Sequence, residues 1–502
     1  MELLQNLYTG FSVALLPANL LFCFIGVFLG SMVGVLPGIG PAATISVLLP
    51  VTFSLRPETA IIMLAGIFYG TQYGGSTTSI LVNLPGEASS VITCLDGHQM
   101  ARKGRAGPAL GIAAFGSFIG GTLSVIGLMF VGPWVAKLAL RFGPPEYFAL
   151  MCLSIVLLTF LSKGSMTKSL MSASFGLFAG VIGTDPMSGI QRFVYGSVTL
   201  LDGVGVVPMV MGLFGIAEVL SSLERKGVQD VIAAEIKGLL PTLKDWKDSI
   251  WAIVRGSVIG FFLGILPGGG MIMSTFTSYA VEKRVARHPE SFGQGEIAGV
   301  AGPETANNAA STSAMVPLLS LGLPANIITA LLLGALMIHG ITPSPFLVTE
   351  HPGVFWGIIT SMYIGNILLL VLNLPLIGLW VRLLKVPYGV IFPVILLLCL
   401  IGSYTVNSNP YEIVIMLVFG AIGYLMRRTG FDPAPFCFAM IIGPIMETNF
   451  RQSLLQSRGG FGIFVNRPIA ATLFAACLCL LLIQVVPRIA RGRALVSRDE
   501  ER

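Results

Sequence analysis

The sequence predicts an all-α integral membrane protein with about twelve transmembrane helices. Of its 502 residues, 54% are hydrophobic and 11% are charged, whereas soluble domains carry about 25% charged residues. The mean hydropathy is +0.85. Apolar segments of roughly 17–25 residues, long enough to span a bilayer, recur from Phe11 to Val486. A soluble domain is therefore excluded.

Two Pro-Gly breaks interrupt these apolar runs at corresponding places. The first lies within Gly34 to Pro41 and the second within Gly264 to Gly270. Unpaired backbone groups are tolerated inside a bilayer only where protein or a water-filled cavity surrounds them. Such breaks at matching positions of two halves indicate the binding site of a transporter. We expect the prolines to open the backbone so that neighbouring residues contact the solute.

The first membrane repeat is predicted to cover residues 1–221, starting with a span at 11–35. Residues 41–54 are too short to cross comfortably at about 1.5 Å per residue, so we expect a half-helix or re-entrant hairpin. A span at 59–82 becomes polar in its second half and ends at another break, Asn83 to Glu87. A short segment then leads to a basic cluster. Further spans are predicted at 108–131, 147–161, 168–183 and 203–221.

Residues 222–250 form the longest polar stretch and are expected to be a cytoplasmic linker. The second membrane repeat, 251–487, begins with a span at 251–266 and then breaks. A polar helix at 297–320 is followed by another break at 322–326 and an apolar run. Later spans are predicted at 354–380, 388–402, 411–426, 433–446 and 468–487, and residues 488–502 form a basic tail.

Three landmarks recur in the same order in both halves. Each half has a Leu-Pro-Gly break, then a Ser/Thr cluster, then a second Leu-Pro break; the four prolines are Pro37, Pro85, Pro267 and Pro324. The loop after the short segment of the first half is nearly neutral, whereas its counterpart at 282–287 is strongly basic. Because basic loops favour the cytoplasmic side, this difference predicts inverted repeats. The basic tail is likewise expected in the cytoplasm.

The polar stretches beside the breaks are the candidate solute and ion site. Glycine-rich breaks present free N–H groups and helix N-termini, which bind carboxylates without a formal charge, and carbonyls that suit Na⁺. Close helix packing would explain any single Ser or Gly, but two clusters beside paired breaks favour a polar solute. The candidates are Gly38, Gly40, Tyr73, Gly75, Ser76, Thr77, Thr78, Asn83, Gly268, Gly269, Glu304, Asn307, Asn308, Ser311, Thr312 and Ser313.

Carboxyls near these motifs have two readings. Glu304 lies deepest in a predicted helix and is a candidate for binding H⁺ or Na⁺, because a buried carboxylate in a bilayer is costly. A position near a span end would explain it equally well. Glu87 and Asp96 lie close to the basic cluster at Arg102, where helix-end charge and topology explain them just as well.

Other function classes have no support in the sequence. No cysteines or histidines are spaced as metal ligands, and the motifs for ATP binding, zinc proteolysis and serine hydrolysis are absent. We therefore expect no enzyme and no cofactor, and a pump must draw on an ion gradient or a partner. A continuous basic face for nucleic acid is also absent. An integral-membrane scaffold or intramembrane enzyme is the reading from another class.

Three stretches resemble the large membrane subunit of the tripartite tricarboxylate transporters, the TctA family: Gly34 to Pro41, Tyr69 to Glu87, and Gly302 to Asn308. The resemblance runs through essentially the whole chain. It implies a bacterial inner-membrane protein that imports a tri- or dicarboxylate with Na⁺ or H⁺. It also implies two partners, a small membrane subunit of about four spans and a periplasmic solute-binding protein.

Several questions stay open beside that resemblance. A stand-alone ion-coupled carboxylate carrier is the alternative function. An elevator-type movement of a domain that contains both broken hairpins is a hypothesis by analogy with other carriers. A homodimer is left open, and the identity of the carboxylate is not stated by the residues.

Overall fold

In the computed structural model, the chain is a bundle of α-helices with one short β-hairpin, which confirms the predicted all-α class. The structure describes residues 2–36, 40–161, 165–224, 238–384, 386 and 388–485. Pro37 and Gly38 therefore lie outside the described residues, as do residues 225–237 of the predicted linker 222–250 and the whole basic tail 488–502.

Prolines mark the starts of several helices in the first half, because a proline in the first turn removes only an N–H that has no helical partner. Pro17 divides the expected span 11–35 into two helices. The eight residues of α3 rise about 12 Å and continue into a 3₁₀ turn at Leu49–Ser54. The helices are α1 (Glu2–Ala14), α2 (Pro17–Val35), α3 (Pro41–Leu48), α4 (Pro57–Val82), α5 (Val91–Arg102), α6 (Ala106–Ala139), α7 (Pro144–Leu161), α8 (Met166–Gly180), α9 (Val206–Val210) and α10 (Ala217–Glu224).

The second half departs from the expected spans in two divided helices and in one longer helix, which runs to Gln456 instead of ending at residue 446. The span 354–380 is divided at Leu374 to Leu376, and the polar helix 297–320 is divided at Ala314. The helices are α11 (Leu243–Gly264), α12 (Gly270–Val285), α13 (Ala298–Ser313), α14 (Met315–Leu321), α15 (Ile327–Ile338), α16 (Leu347–Glu350), α17 (Pro352–Asn373), α18 (Ile377–Leu383), α19 (Tyr388–Asn407), α20 (Pro410–Arg428), α21 (Pro433–Gln456), α22 (Ile463–Asn466) and α23 (Pro468–Val485).

Four helices in the described part of the chain are long and apolar enough to cross a membrane, namely α2, α6, α17 and α20. Shorter apolar helices accompany them, including α15 and α23. Together they support a multi-pass membrane protein. The total of about twelve crossings stays a prediction.

Close glycine contacts set the helix directions in the first half. A Cβ added at Gly30 of α2 would lie 2.5 Å from the carbonyl oxygen of Ile67 in α4. Small residues let membrane helices approach this closely. Because the contacts advance together along both helices, α2 and α4 run parallel, although α3 separates them in sequence. The pairs are Gly26 with Met63, Gly30 with Ile67, and Gly34 with Thr71.

The second half has the same arrangement, with the opposite direction. Helices α11 and α13 run parallel through glycine contacts, and α6 runs parallel to α13. Helix α6 is antiparallel to α17, which itself runs parallel to α2. Hence α2, α4 and α17 point one way and α6, α11 and α13 point the other. The pairs that set these directions are Gly256 with Gly302, Gly260 with Ala306, Gly116 with Ala301, Ser124 with Ala309, Gly121 with Asn366, Gly132 with Phe355, Cys23 with Ser361, and Ser31 with Asn373.

A β-hairpin that the sequence patterns did not indicate lies between α8 and α9. Strands β1 (Gly183–Thr184) and β2 (Gln191–Arg192) pair antiparallel. They are too short to show the alternation that reveals a strand. Asp185 beside them forms ion pairs with Arg451 at 2.7 Å and Arg192 at 2.9 Å. The Arg451 hydrogen bond, followed by that of Ser188, holds the pKa of Asp185 well below its ordinary value.

A single methyl group tests the α2–α4 contact. We expect Gly30→Ala to lower stability by about 1–3 kcal/mol, the usual cost of overpacking, because the clashing atoms belong to backbone. Gly378→Ala is the matched control, since a Cβ at Gly378 meets nothing within 4 Å. Thermal unfolding of the purified variants in detergent measures the difference. Equal melting temperatures would show that α2 and α4 do not pack this closely.

Candidate functional site

Glu304, near the start of α13, is fully buried and joins helices from both halves. The hydroxyls of Ser76 on α4 and Thr93 on α5 donate hydrogen bonds to its two carboxyl oxygens. Among the residues that the structure describes, no lysine or arginine forms an ion pair with Glu304. A carboxyl in this setting is either protonated or in need of a cation, since an isolated buried charge costs several kcal/mol or more.

Asn308 attaches a third helix to this centre. Its amide Nδ2 donates to Ser117 Oγ of α6 at 2.7 Å and to the backbone oxygen of Glu304 at 3.2 Å. Ser117 in turn donates to the same backbone oxygen at 3.4 Å. These bonds fix the register between α6 and α13 one helical turn after Glu304.

Asn307 links α13 to a second carboxyl, that of Glu87, which follows the break at Leu84-Pro85. Its Nδ2 donates to Glu87 Oε1 at 3.1 Å. A Cβ at Gly75 would lie 3.3 Å from Glu87 Cγ, so a glycine there leaves room for the carboxyl. Three buried polar atoms nearby have no hydrogen-bond partner in the described part of the chain: Asn307 Oδ1, Gln72 Nε2 and Tyr73 Oη.

A small polar cavity lies beside Glu304, and Ser76 belongs to both. Its volume of about 20 Å³ has room for a water-sized species, and an organic acid requires a wider space. Leu110, Ala113, Ala114 and Ile377 form its apolar wall. The polar side is formed by Tyr73, Ser76, Thr77, Ser117 and Asn373.

Comparison with known proteins agrees with this membrane architecture. The model of the tripartite tricarboxylate transporter TctA family matches residues 20–438. The chain belongs to the TctA family. An uncharacterized 52.8 kDa protein in the TAR-I ttuC' 3' region of Agrobacterium vitis is 47% identical over the full length of both chains. An uncharacterized protein in the TAR-II ttuC' 3' region of the same organism is 46% identical over its whole length and 48% of this chain. No solved structure matches.

Backbone groups at the breaks of this TctA-family chain have partners within the same half. The N–H of Gly268 donates to the carbonyl of Ala325 at 2.6 Å, which joins the two breaks of the second half. In the first half, Gly86 packs so closely on Gly34 that a Cβ would lie 2.6 Å from its oxygen. Thr78 Oγ1 donates to the carbonyl of Val35 at 2.6 Å and thereby closes the end of α2.

The sequence-predicted candidates fall into separate groups. The structure brings together Tyr73, Gly75, Ser76, Thr77, Glu304, Asn307 and Asn308 around the two carboxyls and the cavity. Others lie at helix ends or breaks: Gly40, Thr78, Asn83, Pro85, Pro267, Gly268, Gly269 and Pro324. Ser311 and Ser313 donate to carbonyls of their own helix, and Thr312 is buried beside them.

Three residues at the site escaped the sequence analysis. Thr93, Ser117 and Asn373 are single polar residues in or beside apolar runs, and each lies on a different helix. A buried polar residue in a membrane helix is the only local signal they offer. Their convergence depends on how α5, α6 and α17 pack.

Asp96 holds the helix that carries Thr93. Its buried carboxylate accepts bonds from the backbone N–H groups of Gly295 at 2.7 Å, Glu296 at 2.8 Å and Gly293 at 2.9 Å. Tyr279 Oη donates at 2.9 Å. Because Asp96 lies one turn after Thr93, these bonds fasten α5 to the loop between α12 and α13.

Removal of this carboxylate is expected to loosen that loop. In Asp96→Ala, three backbone N–H groups lose their acceptor, and each hydrogen bond to a charged group contributes about 1.5–3 kcal/mol. We expect a lower melting temperature and faster trypsin cleavage near Arg287. Glu290→Ala is the control, since its exposed side chain bonds only His288. Wild-type stability and cleavage in Asp96→Ala would contradict this role.

Proposed function

We propose that this chain is the transport subunit that imports an organic di- or tricarboxylate, driven by a Na⁺ or H⁺ gradient. The observation that carries the proposal is the Glu304 carboxyl, which is buried without a basic partner among the described residues and is bound by hydroxyls from two other helices. A monovalent cation at Glu304 neutralises a charge that the membrane otherwise disfavours.

Ser76 couples that cation to the solute. Its hydroxyl donates to Glu304 and also lines the small cavity. When Glu304 is neutralised, the Ser76 hydroxyl is released to donate to a carboxylate in the cavity. Tyr73 Oη, buried and without a partner among the described residues, is a second uncharged donor for that carboxylate. The solute is thus held by dipoles and charge is supplied by the co-transported cation.

The halves are proposed to be inverted repeats. The helix directions support this proposal, because α2 and α4 of the first half run opposite to α11 and α13 of the second. The closing helices, α6 and α17, are also antiparallel. In such a pair the return segments that contain α3 and α12 also run in opposite directions, which suits alternating access to a central site.

Solute passage requires the cavity to widen beyond about 20 Å³. We propose that the tightly packed blocks move as units, as in an elevator-type carrier, because their glycine contacts leave no room for internal sliding. The end that carries Lys103 and Arg105 is proposed to face the cytoplasm of a bacterium, since basic loops favour that side. The basic tail would lie there too.

The name of the family supports two partners. A tripartite transporter needs a second membrane subunit and a periplasmic solute-binding protein, and we propose both for this chain. A stand-alone ion-coupled carrier is the second candidate. Whether the chain forms a homodimer is an independent property that neither function requires.

Variants at the carboxyl centre test the site. Glu304→Gln is expected to lose gradient-driven uptake. Ser76→Ala is expected to lose about tenfold or more, from about 1.5–3 kcal/mol for a hydrogen bond to a charged group, and Asn308→Ala about 2- to 10-fold, from about 0.5–1.5 kcal/mol for a hydrogen bond between neutral groups. Uptake of radiolabelled di- and tricarboxylates into proteoliposomes measures this. Ser174→Ala is the control, since its exposed hydroxyl bonds only Leu170 of its own helix. Wild-type uptake in all three variants would place the solute elsewhere.

Dependence on a binding protein separates the two candidate functions. Proteoliposomes that contain both membrane subunits are expected to take up solute when the periplasmic binding protein is added, and to take up none without it. Uptake at the same rate without that protein would favour the stand-alone carrier. The ligand of the binding protein, measured by calorimetry, would name the carboxylate.

A further inference from the structure

The Leu-Pro breaks of the two halves match residue by residue. Asn83 (φ 58°) and Gly322 (φ 69°) each end a helix in the left-handed region. Four residues later, Glu87 and Asn326 each begin the next helical turn in an extended conformation, with φ of −148° and −155°. Each donates its backbone N–H to a hydroxyl three residues on, that of Ser90 or of Thr329.

Only one of these equivalent positions carries a carboxyl. Asn326 Oδ1 accepts the N–H of Thr329 at 2.9 Å, so a neutral amide caps its helix adequately. Glu87 forms a capping box with Ser90 as well, but its Oε1 also accepts from Asn307 on α13, in the other half. Capping therefore does not require the charge at Glu87, and a carboxylate at membrane depth is costly to keep without a purpose.

The surroundings of Glu87 suit a metal cation better than a basic side chain. No lysine or arginine in the described part of the chain pairs with Glu87. Asn307 is fully buried, and its Oδ1 has no partner although its Nδ2 is bonded to Glu87. Transporters coordinate Na⁺ at broken helices through backbone carbonyl oxygens, and carboxylate and side-chain amide oxygens are ligands of the same hard type.

Asn307 brings Glu87 close to the helix that carries Glu304. Asn307 follows Glu304 by three residues, so both project from one face of α13. Glu304 is bonded to Ser76 and Thr93, whereas Glu87 is bonded to Asn307. The two carboxyls thus have separate sets of partners within one polar region.

We propose that Glu87 and Asn307 bind a second co-transported Na⁺, distinct from the cation at Glu304. This rests on the proposed cation-coupled transport. With two Na⁺ per solute, the net charge moved in each cycle is zero for a dicarboxylate and one negative charge for a tricarboxylate. Na⁺ bound at Glu87 also bridges the halves, because Glu87 belongs to the first half and Asn307 to the second.

Binding of ²²Na⁺ to the purified full-length chain, together with its small membrane subunit where the two copurify, tests this. We expect two ions per chain in the wild type, one in Glu87→Asn, one in Glu304→Gln and none in the double variant. Glu87→Asn copies the cap of the other half and should fold; Glu87→Gln, which keeps side-chain length, is the second variant. Glu290→Gln, an exposed carboxyl change, should keep two ions.

The outcomes separate the second site from the proposed function. If Glu87→Asn and Glu87→Gln each still bind two ions, the second site is wrong. The transport proposal would stand in that case if Glu304→Gln loses uptake. No ²²Na⁺ bound by the wild type, with uptake driven by a pH gradient, would also overturn it. Uptake independent of any cation gradient would remove both proposals. A fall in the sodium dependence of uptake from second to first order in Glu87→Asn would support the site.

Discussion

The requirement that every backbone polar group within a bilayer find a partner controls this architecture. Helices α2 and α11 each end inside the protein. Their terminal carbonyls therefore need donors, and the N–H groups that follow need acceptors. Thr78 closes the end of α2, and Ala325 accepts from Gly268 after α11. The break after α11 therefore depends on the Leu-Pro break of its own half, whereas the end of α2 depends on a hydroxyl of α4. The polar centre lies where these paired breaks bring α4, α5 and α13 together.

The sequence predicts the outline of the fold because its main signals are local. The breaks, the short α3 and the polar stretch of α4 follow from proline, glycine and hydroxyl patterns that act locally. The division of the first span at Pro17 and the extent of α21 beyond residue 446 did not follow, because apolar content alone does not reveal where a helix ends. The hairpin at Gly183 to Arg192 was missed since four paired residues carry no period.

At the candidate site, local signals were strongest for residues that cluster in sequence. Ser76 and Glu304 stand in polar segments and were singled out; Thr93, Ser117 and Asn373 do not. Glu87 had an equally good explanation as a helix-end charge. Only the comparison with Asn326, possible once both caps are seen in space, shows that the cap position does not need a carboxyl. The two breaks share their cap geometry and differ at the one position that carries a carboxyl.

The shortness of α3 has a consequence for how the protein is made. A helix of eight residues, followed by a 3₁₀ turn, is too short to partition into lipid as an independent span. It packs against helices that are synthesised later, such as α4 and α15. During insertion, α2 and α4 are thus expected to enter the bilayer first, and α3 to fold back between completed neighbours.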